Sequence, residues 1–400
     1  MAYISLLGLI LIGLPTAYLV LLALASVRAP AMDILTHGEP QTRFIIAIPA
    51  HDEASVIRGT VLEMRKAQYP REFFEVHVVA DHCSDATAAE ARSAGAVVHV
   101  RNEEPRSGKG AALNWLFERI FDIEGWDAVV IFDADTVVDR QFLAVMDAHL
   151  RSGEEVIQGK HVIQNPRDGW FPALVWAMFI IDNRFQNLGR TNLGMSAKNM
   201  GDSICFRANV LKKSLWGDGL ADDYELRLRL LLEGIKIAYQ PLAIGYGEAP
   251  HSWREAGAQR VRWLKGAREA NHEYTGRLLR AGIREMDASK IDGALQALLP
   301  SYSTLGLISF VALFLQLAGR SALPGAFPGG LIAAWGLLSL LLLLYPFLGL
   351  ALERAPLRAY MAILTGPVFI VWRTWLAVTR VIGNRTAVWV RTAHRGRSGR

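Results

Sequence analysis

Short apolar runs alternate with helical patterns between residues 44 and 132, and together they predict a parallel β-sheet. The predicted strands are Phe44–Pro49, Phe74–Ala80, Val97–Val100 and Ala128–Phe132. The helical segments between them are Ala54–Ala67, Thr87–Ala94 and Gly110–Ile120. Short apolar runs are typical of strands buried on both faces, and strands that alternate with helices form a parallel sheet covered on both sides. The predicted fold class is therefore α/β.

The pattern is less regular in residues 158–207. Phe171–Ile181 is apolar and aromatic, and it fits either a core element or a segment at a membrane surface. Asp222–Glu233 is predicted to be a helix because acidic residues fill its first turn and a glycine follows its end. Ile235–Tyr239 is predicted to be the strand after it.

Three long apolar segments predict membrane-spanning helices. Tyr3–Ala25 carries no charge, and about 20 residues at ~1.5 Å each cross a bilayer core. A cleaved signal peptide is the alternative, but the run is too long and no basic region precedes it. The other two predicted spans are Ile291–Leu317 and Gly330–Ala351.

A fourth apolar segment, Tyr360–Ile382, has features that argue against a simple span. Gly366 and Pro367 interrupt it, and it contains Arg373 and Arg380. A charge at the middle of a bilayer costs about 2.5–3.5 kcal/mol on insertion scales. We therefore expect an interfacial or re-entrant path for this segment.

These patterns divide the chain into a membrane anchor at 1–28, an α/β domain at 40–287 and a membrane region with a basic tail at 288–400. The formal net charge is +5, and much of the excess lies in the tail, which favours a cytoplasmic membrane surface over nucleic acid. The two cysteines, Cys83 and Cys205, lie in unrelated contexts. We therefore expect no disulfide framework and no cysteine metal site, and a reduced, cytosolic setting fits.

Asp133 and Asp135 directly follow the predicted strand Ala128–Phe132. Residues two apart in an extended strand point to the same side, and the carboxyl ends of strands in open α/β sheets face the ligand crevice. Two carboxylates that converge there repel each other unless a cation lies between them, and hard oxygen ligands suit Mg²⁺ or Mn²⁺. An ordinary surface turn is the alternative, since aspartate is common in turns.

Two segments before this pair carry further candidate ligand groups. Lys109 lies in the glycine-rich stretch Arg106–Gly110 before a helix, and such loops bind phosphate through backbone N–H groups. A Walker A loop would need glycine at position 103, where the chain has Glu103, so an ATPase is excluded. Asp81 ends the second predicted strand and is assigned to a base or ribose hydroxyl, as in other nucleotide-binding sheets.

Two helices carry the last candidate groups. Asp222 and Asp223 begin a helix, where acids offset the helix dipole, but a carboxylate that faces the crevice can also take a proton from a sugar hydroxyl. Gln259, Arg262 and Trp263 are spaced i, i+3 and i+4, so they share one helical face. An amide, a guanidinium and an indole suit a saccharide together with a phosphate. An amphipathic helix that packs its tryptophan is the alternative.

In this order and spacing, the motifs resemble the membrane-bound family 2 glycosyltransferases, which include cellulose, hyaluronan and poly-N-acetylglucosamine synthases. The resemblance runs from about Phe44 to Trp263 and extends to the flanking membrane segments. The motifs are Pro49–Glu53, Val79–Asp81, Gly108–Gly110, Asp133–Asp135, Ala221–Asp223 and Gln259–Trp263. The resemblance implies a GT-A-type, mostly parallel sheet. It also implies an inverting, metal-dependent transfer of a sugar from a UDP-sugar to a glycan or lipid-linked acceptor.

The resemblance implies roles for individual residues as well. Asp223 would be the catalytic base, and Asp81 would contact the uracil. The residues implied at the nucleotide-sugar are Pro49, Glu53, Asp81, Lys109 and Asp133. The ligands implied for Mg²⁺ or Mn²⁺ are Asp133 and Asp135. The residues implied at the diphosphate and the acceptor are Asp222, Gln259, Arg262 and Trp263.

Three hypotheses remain, because the chain also departs from the family pattern. Asp52 stands where the family often has asparagine, and Ala221-Asp222 replaces the usual Thr-Glu, which leaves the donor and the product open. A processive polysaccharide synthase is favoured by the Gln259–Trp263 motif, whereas the few spans favour a glycosyltransferase that adds one sugar to a lipid. An inactive scaffold or a transporter is the hypothesis from another class, but it needs none of the crevice carboxylates.

The expected location is the cell membrane, with several spans and a cytoplasmic catalytic domain, because UDP-sugars are cytosolic. The N-terminus is then expected outside and the basic tail inside, as the positive-inside rule requires. The expected partners are a UDP-sugar, a glycan or lipid acceptor, the bilayer and an export protein, but no nucleic acid.

Overall fold

The protein is described by a computed structural model, and an eight-stranded sheet lies at its centre. The described residues are 2–28, 39–104, 108–121, 125–217, 219–251, 253–322, 325–376 and 379. The strands within them are β1 (Phe44–Ala50), β2 (Phe74–Asp81), β3 (Val97–Arg101), β4 (Ala128–Ile131), β5 (Val137–Val138), β6 (Val156–Ile163), β7 (Ile204–Arg207) and β8 (Ile237–Gly247). Their order across the sheet is β3-β2-β1-β4-β7-β6-β8-β5.

The sheet is parallel in its first half and mixed in its second. β1 runs parallel to β2 and β4, and β2 runs parallel to β3. β7 is antiparallel to β4 and β6, whereas β6 and β8 are parallel. The α/β fold class and the four predicted parallel strands are therefore confirmed. The antiparallel strand β7 makes the sheet mixed, a feature that the sequence patterns did not indicate.

Helices cover both faces of the sheet and continue into the apolar segments. They are α1 (Ala2–Ala25), α2 (Ile57–Met64), α3 (Thr87–Ser93), α4 (Lys109–Ile120), α5 (Phe142–Arg151), α6 (Trp170–Ile181), α7 (Gly189–Asn192), α8 (Ala208–Lys213), α9 (Asp222–Leu232), α10 (Trp253–Glu285), α11 (Ala288–Leu298), α12 (Tyr302–Ala322), α13 (Gly329–Leu352), α14 (Leu357–Ile363) and α15 (Gly366–Leu376). A π-helical segment, Asp182–Leu188, joins α6 to α7. The helix predicted over Ala54–Ala67 is shorter, and the strand predicted over Ile235–Tyr239 is longer.

Side chains of β1 show how the sheet is buried on both faces. Phe44, Ile46 and Ile48 pack into a core with α2 and α5. Ile45 and Ala47 point to the other face and pack into a core with α4 and α9. Burying one large aliphatic or aromatic side chain contributes about 1.5–3 kcal/mol. These two cores therefore fix the carboxyl edge of the sheet, where the candidate site lies.

The segment Phe171–Ile181 forms α6, and it is a core element. Leu174 is buried in a cluster with Phe369 of α15, while Ala177 is buried in a cluster with Leu350 of α13. α6 therefore joins the α/β domain to the C-terminal helices.

Three helices in the described part of the chain are long and apolar enough to span a membrane: α1, α12 and α13. The predicted span Ile291–Leu317 is not one helix, because α11 ends at Leu298 and α12 begins at Tyr302. α11 carries the buried Asp292 and packs on α9 and α10, so it belongs to the domain. Pro300 stands in the break, where proline cannot continue a helix. The prediction of a single span from Ile291 was therefore wrong.

The last apolar segment is bent, as the sequence predicted. α14 and α15 meet at 45°, which fits either a broken span or a re-entrant loop. The break falls just before Pro367, which lies in the first turn of α15, where proline is tolerated. Arg380 and the basic tail lie outside the described residues, so the interfacial path and the cytoplasmic tail stay predictions.

α1 is docked on the domain through a buried polar network. The guanidinium of Arg190 donates from Nε to Asp292 Oδ2 over 3.1 Å, and both side chains are only 1% exposed. Nη2 of Arg190 donates to the hydroxyl of Tyr18 on α1 over 2.7 Å, and this hydroxyl in turn donates to Asp292. A Cβ on Gly189 would lie 2.3 Å from the carbonyl oxygen of Leu22, so glycine permits this close contact. The first span is therefore part of the folded unit.

We expect Asp292→Asn to lower the thermal unfolding temperature of the purified protein strongly. Removing one partner of a buried ion pair leaves an uncompensated charge on Arg190 and costs about 3–5 kcal/mol. Glu273→Gln is the matched control, because its pair with Arg277 is 60% exposed on the carboxylate side and should contribute little. Equal unfolding temperatures for the two variants would contradict this account.

Candidate active site

Asp133 and Asp135 lie in a turn after β4, at the carboxyl edge of the sheet. The backbone N–H of Thr136 donates to the carbonyl of Asp133 over 3.1 Å and closes this turn. Between the aspartates, Ala134 is buried, and its carbonyl accepts a 2.7 Å hydrogen bond from the hydroxyl of Thr60. The strand ends at residue 131, so the expectation that an extended strand aligns the two carboxylates was wrong.

Lys109 pairs with the first aspartate of the turn. It is the first residue of α4, and its Nζ donates to Asp133 Oδ1 over 2.5 Å and to the carbonyl of Gly201 over 2.6 Å. Burial lowers the pKa of Lys109, but the charge of Asp133 and its hydrogen bond, together with the charges of Asp222 and Asp202, outweigh burial and raise that pKa. Lys109 is therefore a cation fixed beside the turn. Arg106 and Ser107 of the predicted phosphate-binding stretch lie outside the described residues.

Asp202 organises the backbone beneath the turn. Its Oδ1 accepts hydrogen bonds from the N–H of Asp133 and the hydroxyl of Thr136, both over 3.1 Å. Its Oδ2 accepts from the hydroxyl of Ser203 over 3.1 Å and lies 2.8 Å from Nδ1 of His161. Burial opposes both charges, yet the contact with Asp202 raises the pKa of His161, and the contact with His161 lowers the pKa of Asp202. A buried ion pair therefore supports the two candidate metal ligands.

Asp222 and Asp223 are the first residues of α9 and lie next to this centre. Asp222 Oδ2 accepts a 2.9 Å hydrogen bond from the indole N–H of Trp216. The carboxylate of Asp223 faces Gly201, where φ is +77° and a Cβ would lie 3.1 Å from Asp223 Oδ2. Burial, with the adjacent charge of Asp222, raises the pKa of Asp223 to about 6. A carboxylate of this kind can exchange a proton near neutral pH.

The face formed by Gln259, Arg262 and Trp263 lies on α10, so the predicted helical spacing is confirmed. Nη1 of Arg262 donates to the carbonyl of Leu220 over 2.8 Å, immediately before α9. Gly266 allows α10 to pack closely against the residues before α9, because a Cβ at position 266 would lie 2.4 Å from the backbone nitrogen of Ala221. Trp263 is 40% exposed. The structure thus places Arg262 beside Asp223, with an open indole on the same helix.

Pro49 and Glu53 lie at the carboxyl end of β1. Pro49 is half-buried in the strand itself. The backbone N–H of Glu53 donates to the hydroxyl of Thr87 over 2.7 Å, which ties this end of β1 to α3. Both residues therefore lie at the strand ends where the sequence predicted a nucleotide site.

Asp81 ends β2, and its carboxylate is already engaged within the protein. Nη1 of Arg101 on β3 donates to Asp81 Oδ1 over 2.5 Å, and Nδ1 of His82 lies 2.9 Å from the same oxygen. Asp81 is only 5% exposed. A ligand at this position therefore meets a carboxylate whose orientation is fixed by Arg101 and His82.

Asp135 lines a cavity of about 370 Å³ at the same edge of the sheet. Glu248 lines it too, because β5, which follows Asp135, pairs antiparallel with the end of β8, which precedes Glu248. Arg58 also lines this cavity. Carboxylate oxygens beside an open space suit Mg²⁺ or Mn²⁺, so this donor set fits a divalent ion held by Asp135.

The chain matches a family model described as glycosyltransferase like family 2 over residues 40–266. It belongs to glycosyltransferase family 2. The probable glycosyltransferase YdaM of Bacillus subtilis is 28% identical to it, over 55% of this chain and 54% of that protein. The beta-monoglucosyldiacylglycerol synthase of Trichormus variabilis is 26% identical, over 60% of this chain and 52% of that protein. The chain thus spans about half the length of the curated relatives it matches.

The fold likeness extends beyond the segment that the family model matches. The mannosyltransferase PcManGT from Pyrobaculum calidifontis, solved in complex with GDP-Man and Mn²⁺, gives a TM-score of 0.58 at 18% identity. The alignment covers 93% of this chain and 96% of that one. At this identity the likeness shows the fold alone, and it confirms the GT-A-type architecture. The predicted enzyme class, a glycosyltransferase, is confirmed by the family.

Sequence reasoning missed Asp202, His161 and Gly201, which hold the site together. Gly201-Asp202-Ser203 is a turn-type sequence directly before β7, and that strand was not predicted. His161 lies in β6, whose polar positions hid the strand pattern. The polar residues Asp202 and His161 were the available signal. Because β6 and β7 were not predicted, neither residue could be assigned a position in the sheet.

We expect Asp202→Asn to lower the unfolding temperature most between about pH 4 and 6.5. The folded pKa of His161 is raised above 6.5, so the pair's contribution is full below that value and is lost as pH rises through the folded pKa. The folded pKa of Asp202 is lowered below 3.8, so the contribution is present above that value and is lost as pH falls through it. The measurement is the unfolding temperature of the wild type and of Asp202→Asn as a function of pH. Glu118→Gln, which changes an exposed carboxylate, is the control. A difference that does not vary with pH would contradict it.

Proposed function

We propose that this chain is an inverting, metal-dependent glycosyltransferase that moves a sugar from a UDP-sugar to a hydroxyl of a glycan or lipid acceptor at the cytoplasmic face of a membrane. The observation that carries the proposal is Asp223, a half-buried carboxylate whose pKa is raised to about 6 by burial and by Asp222, although the charges of Lys109 and Arg262 lower it. An inverting displacement needs a base for the acceptor and positive charge for the leaving diphosphate.

In this mechanism Asp223 accepts the proton of the acceptor hydroxyl. The acceptor oxygen then attacks the anomeric carbon from the face opposite the leaving group, so the configuration inverts. Lys109 and Arg262 bring fixed positive charge toward the side where the diphosphate gains charge. Because these groups are held by Gly201 and Leu220 before the reaction, little reorganisation is needed when the charge develops.

Asp135 and Asp133 are the residues that would hold the divalent ion. The ion, when bound, stabilises the negative charge that develops on the diphosphate. Asp133 is shared with Lys109, whereas Asp135 borders the open cavity. We therefore expect Asp135 to be the more important ligand. The presence of Mn²⁺ in the solved mannosyltransferase complex supports a divalent metal but does not choose between Mg²⁺ and Mn²⁺.

The acceptor is proposed to approach from the membrane side of α10. The first residue of this helix, Trp253, has its ring centroid 4.7 Å from Trp170 and 5.4 Å from Trp372 of α15. The helix that carries Gln259 and Trp263 is thus continuous with an aromatic cluster on the bent C-terminal segment, and aromatic side chains of this kind are enriched at membrane interfaces.

This position favours a lipid or lipid-linked acceptor over a free sugar, which agrees with the diacylglycerol product in the name of the Trichormus relative. A processive polysaccharide synthase is the alternative, and it rests on the Gln259–Trp263 motif. The deciding experiment offers UDP-glucose, UDP-galactose, UDP-N-acetylglucosamine and GDP-mannose with native lipid extract. We expect UDP release and one new glycolipid, whereas a ladder of products would favour the synthase. Release from GDP-mannose alone would reject the UDP-sugar assignment.

We expect Asp135→Asn to keep the fold and lose divalent-dependent transfer by orders of magnitude. One ligand oxygen with its charge is removed, and metal stabilisation of a leaving group contributes several kcal/mol, ~10²-fold or more in rate. The measurement is UDP release against Mn²⁺ concentration, with the unfolding temperature as a check. Asp139→Asn is the matched control, because the carboxylate of Asp139 accepts a hydrogen bond from the backbone of Gln141 before α5. Near-normal turnover of the wild type in EDTA would contradict the assignment of a divalent metal.

We expect Asp223→Asn to keep UDP-sugar binding and to lose transfer by ~10²–10⁴-fold, because only the proton acceptor is removed. In the wild type, kcat/KM should rise with pH through about 6, since the base works only when deprotonated, and the variant should lack this rise. Glu225→Gln in the same helix turn is the control for loss of a helix-dipole charge. If binding and turnover fell together, Asp223 would be reassigned to stabilising α9.

A further inference from the structure

His51, Asp52 and Cys83 form a cluster at the carboxyl ends of β1 and β2, and none of them has a role in the transfer proposed above. One ligand atom from each residue lies within 4.8 Å of the other two, and all three residues are half-buried. We propose that this cluster is a zinc-binding site, with the imidazole of His51, the carboxylate of Asp52 and the thiolate of Cys83 as ligands. These three groups are among the ligands that zinc takes in proteins.

The fold explains how residues distant in sequence meet here. β1 and β2 are parallel neighbours with Ala50 beside Ala80, so the residues after each strand emerge side by side. The sequence alone gave no sign of a cysteine metal site, because Cys83 has no second cysteine or histidine at a zinc-ligand spacing. The pairing of two strand ends supplies the proximity that the spacing lacks.

His51 has the hydrogen bonding of a zinc ligand. Its Nδ1 lies 2.7 Å from the carbonyl oxygen of Asp81, and a carbonyl can only accept, so Nδ1 carries the hydrogen. The neutral ring then presents the lone pair of Nε2 on its other side. Zinc-binding histidines typically donate their second N–H to a carbonyl or carboxylate in this way, which fixes the tautomer and the ring orientation.

The position between Nε2 of His51 and the carboxylate of Asp52 favours a cation. Nε2 of His51 lies 3.5 Å from Asp52 Oδ2. Two acceptor atoms that face each other at this distance repel unless a proton or a metal ion lies between them. Tetrahedral zinc with bonds of about 2.0–2.2 Å places neighbouring nitrogen and oxygen ligands ~3.3–3.6 Å apart. The observed separation therefore matches one edge of a zinc tetrahedron.

The carboxylate of Asp52 is held in place by the loop after β2. Its Oδ1 accepts hydrogen bonds from the N–H groups of Ser84 over 2.7 Å and Asp85 over 3.3 Å. The Ser84 hydroxyl lies 3.2 Å from both carboxylate oxygens, and Oδ2 is the oxygen that faces His51. The backbone of Asp52 is left-handed, with φ of +53°, and its N–H donates to Cys83 Sγ over 3.5 Å. Strained backbone of this kind is concentrated at ligand clamps. Asparagine, which the family often has here, would supply no charge to a metal.

The cluster differs in chemistry from the Asp135 cavity. A thiolate and an imidazole are softer ligands than carboxylates, so they favour zinc over Mg²⁺ or Mn²⁺. The two sites are therefore expected to take different ions from the same solution. Zinc here would leave the divalent ion of the transfer reaction unaffected.

The test uses the metal-free full chain in detergent, with Co²⁺ as a spectroscopic probe of zinc sites. We expect a thiolate-to-cobalt charge-transfer band that saturates at one equivalent and disappears when Zn²⁺ displaces the cobalt. Cys83→Ala should lose the band, whereas Cys205→Ala, which removes the cysteine buried in β7, should keep it. Competition with a chromophoric chelator should show zinc affinity reduced by at least about tenfold in His51→Gln and Asp52→Asn.

Two controls keep the result interpretable. Cys83→Ser tests the loss of the thiolate if the alanine variant unfolds, and unfolding temperatures verify each variant. Asp135→Asn should retain the cobalt band, because it affects only the other site. Absence of the band in the wild type, or an unchanged zinc affinity in Cys83→Ala, would overturn the proposal and show that a proton alone lies between His51 and Asp52.

One consequence rests on the proposed function. The carbonyl that binds His51 belongs to Asp81, the residue proposed for the uracil, so bound zinc should weaken UDP binding. The UDP dissociation constant, measured with and without zinc in the wild type and in Cys83→Ala, decides this point. An unchanged constant would reject the competition, while the cobalt spectrum independently decides the zinc site.

Discussion

The buried carboxylate of Asp202 is the interaction on which the candidate site depends. One of its oxygens holds the turn that carries Asp133, and the other holds His161. The residue before it, Gly201, accepts a hydrogen bond from Lys109 and lies against Asp223. A buried carboxylate is costly unless all its hydrogen bonds are made. The network therefore forms as a unit, and it sets the positions of the cation, the candidate metal ligands and the candidate base together.

The same sheet edge is tied to the helices that can span a membrane. Lys160, the neighbour of His161 on β6, donates to Glu353 at the end of α13 over 2.7 Å, and Arg184 binds the other oxygen of Glu353 over 3.1 Å. Arg190 joins α1 to α11 in the network described above. Because these charged contacts connect α1 and the end of α13 to the domain, both helices are held in a fixed relation to the site. Under the proposed function, this relation would suit an acceptor delivered from the bilayer.

Sequence patterns predicted the part of the fold that is built from continuous apolar strands. The four parallel strands and their helices were recovered because each strand is buried on both faces. β5, β6 and β7 were not, since β5 has two residues and β6 mixes Gln158, Lys160 and His161 into its apolar run. The division at Pro300 was missed because Asp292 was counted within an apolar segment. The family motifs indicated the residues that face a ligand, but not the Asp202–His161 pair that lies behind them.

Charge balance explains why the candidate base has the pKa that its role requires. Carboxylates outnumber the fixed cations around the turn, and burial with the charge of Asp222 keeps a proton on Asp223 up to a pH of about 6. In the proposed reaction a diphosphate would add negative charge and a divalent ion at Asp135 would offset it, so donor and metal together would change the local charge little. The pKa of Asp223 would then be set by its burial and by the fixed neighbours Asp222, Lys109 and Arg262 more than by the bound donor. A base controlled in this way is ready for the acceptor whether or not the sugar has arrived.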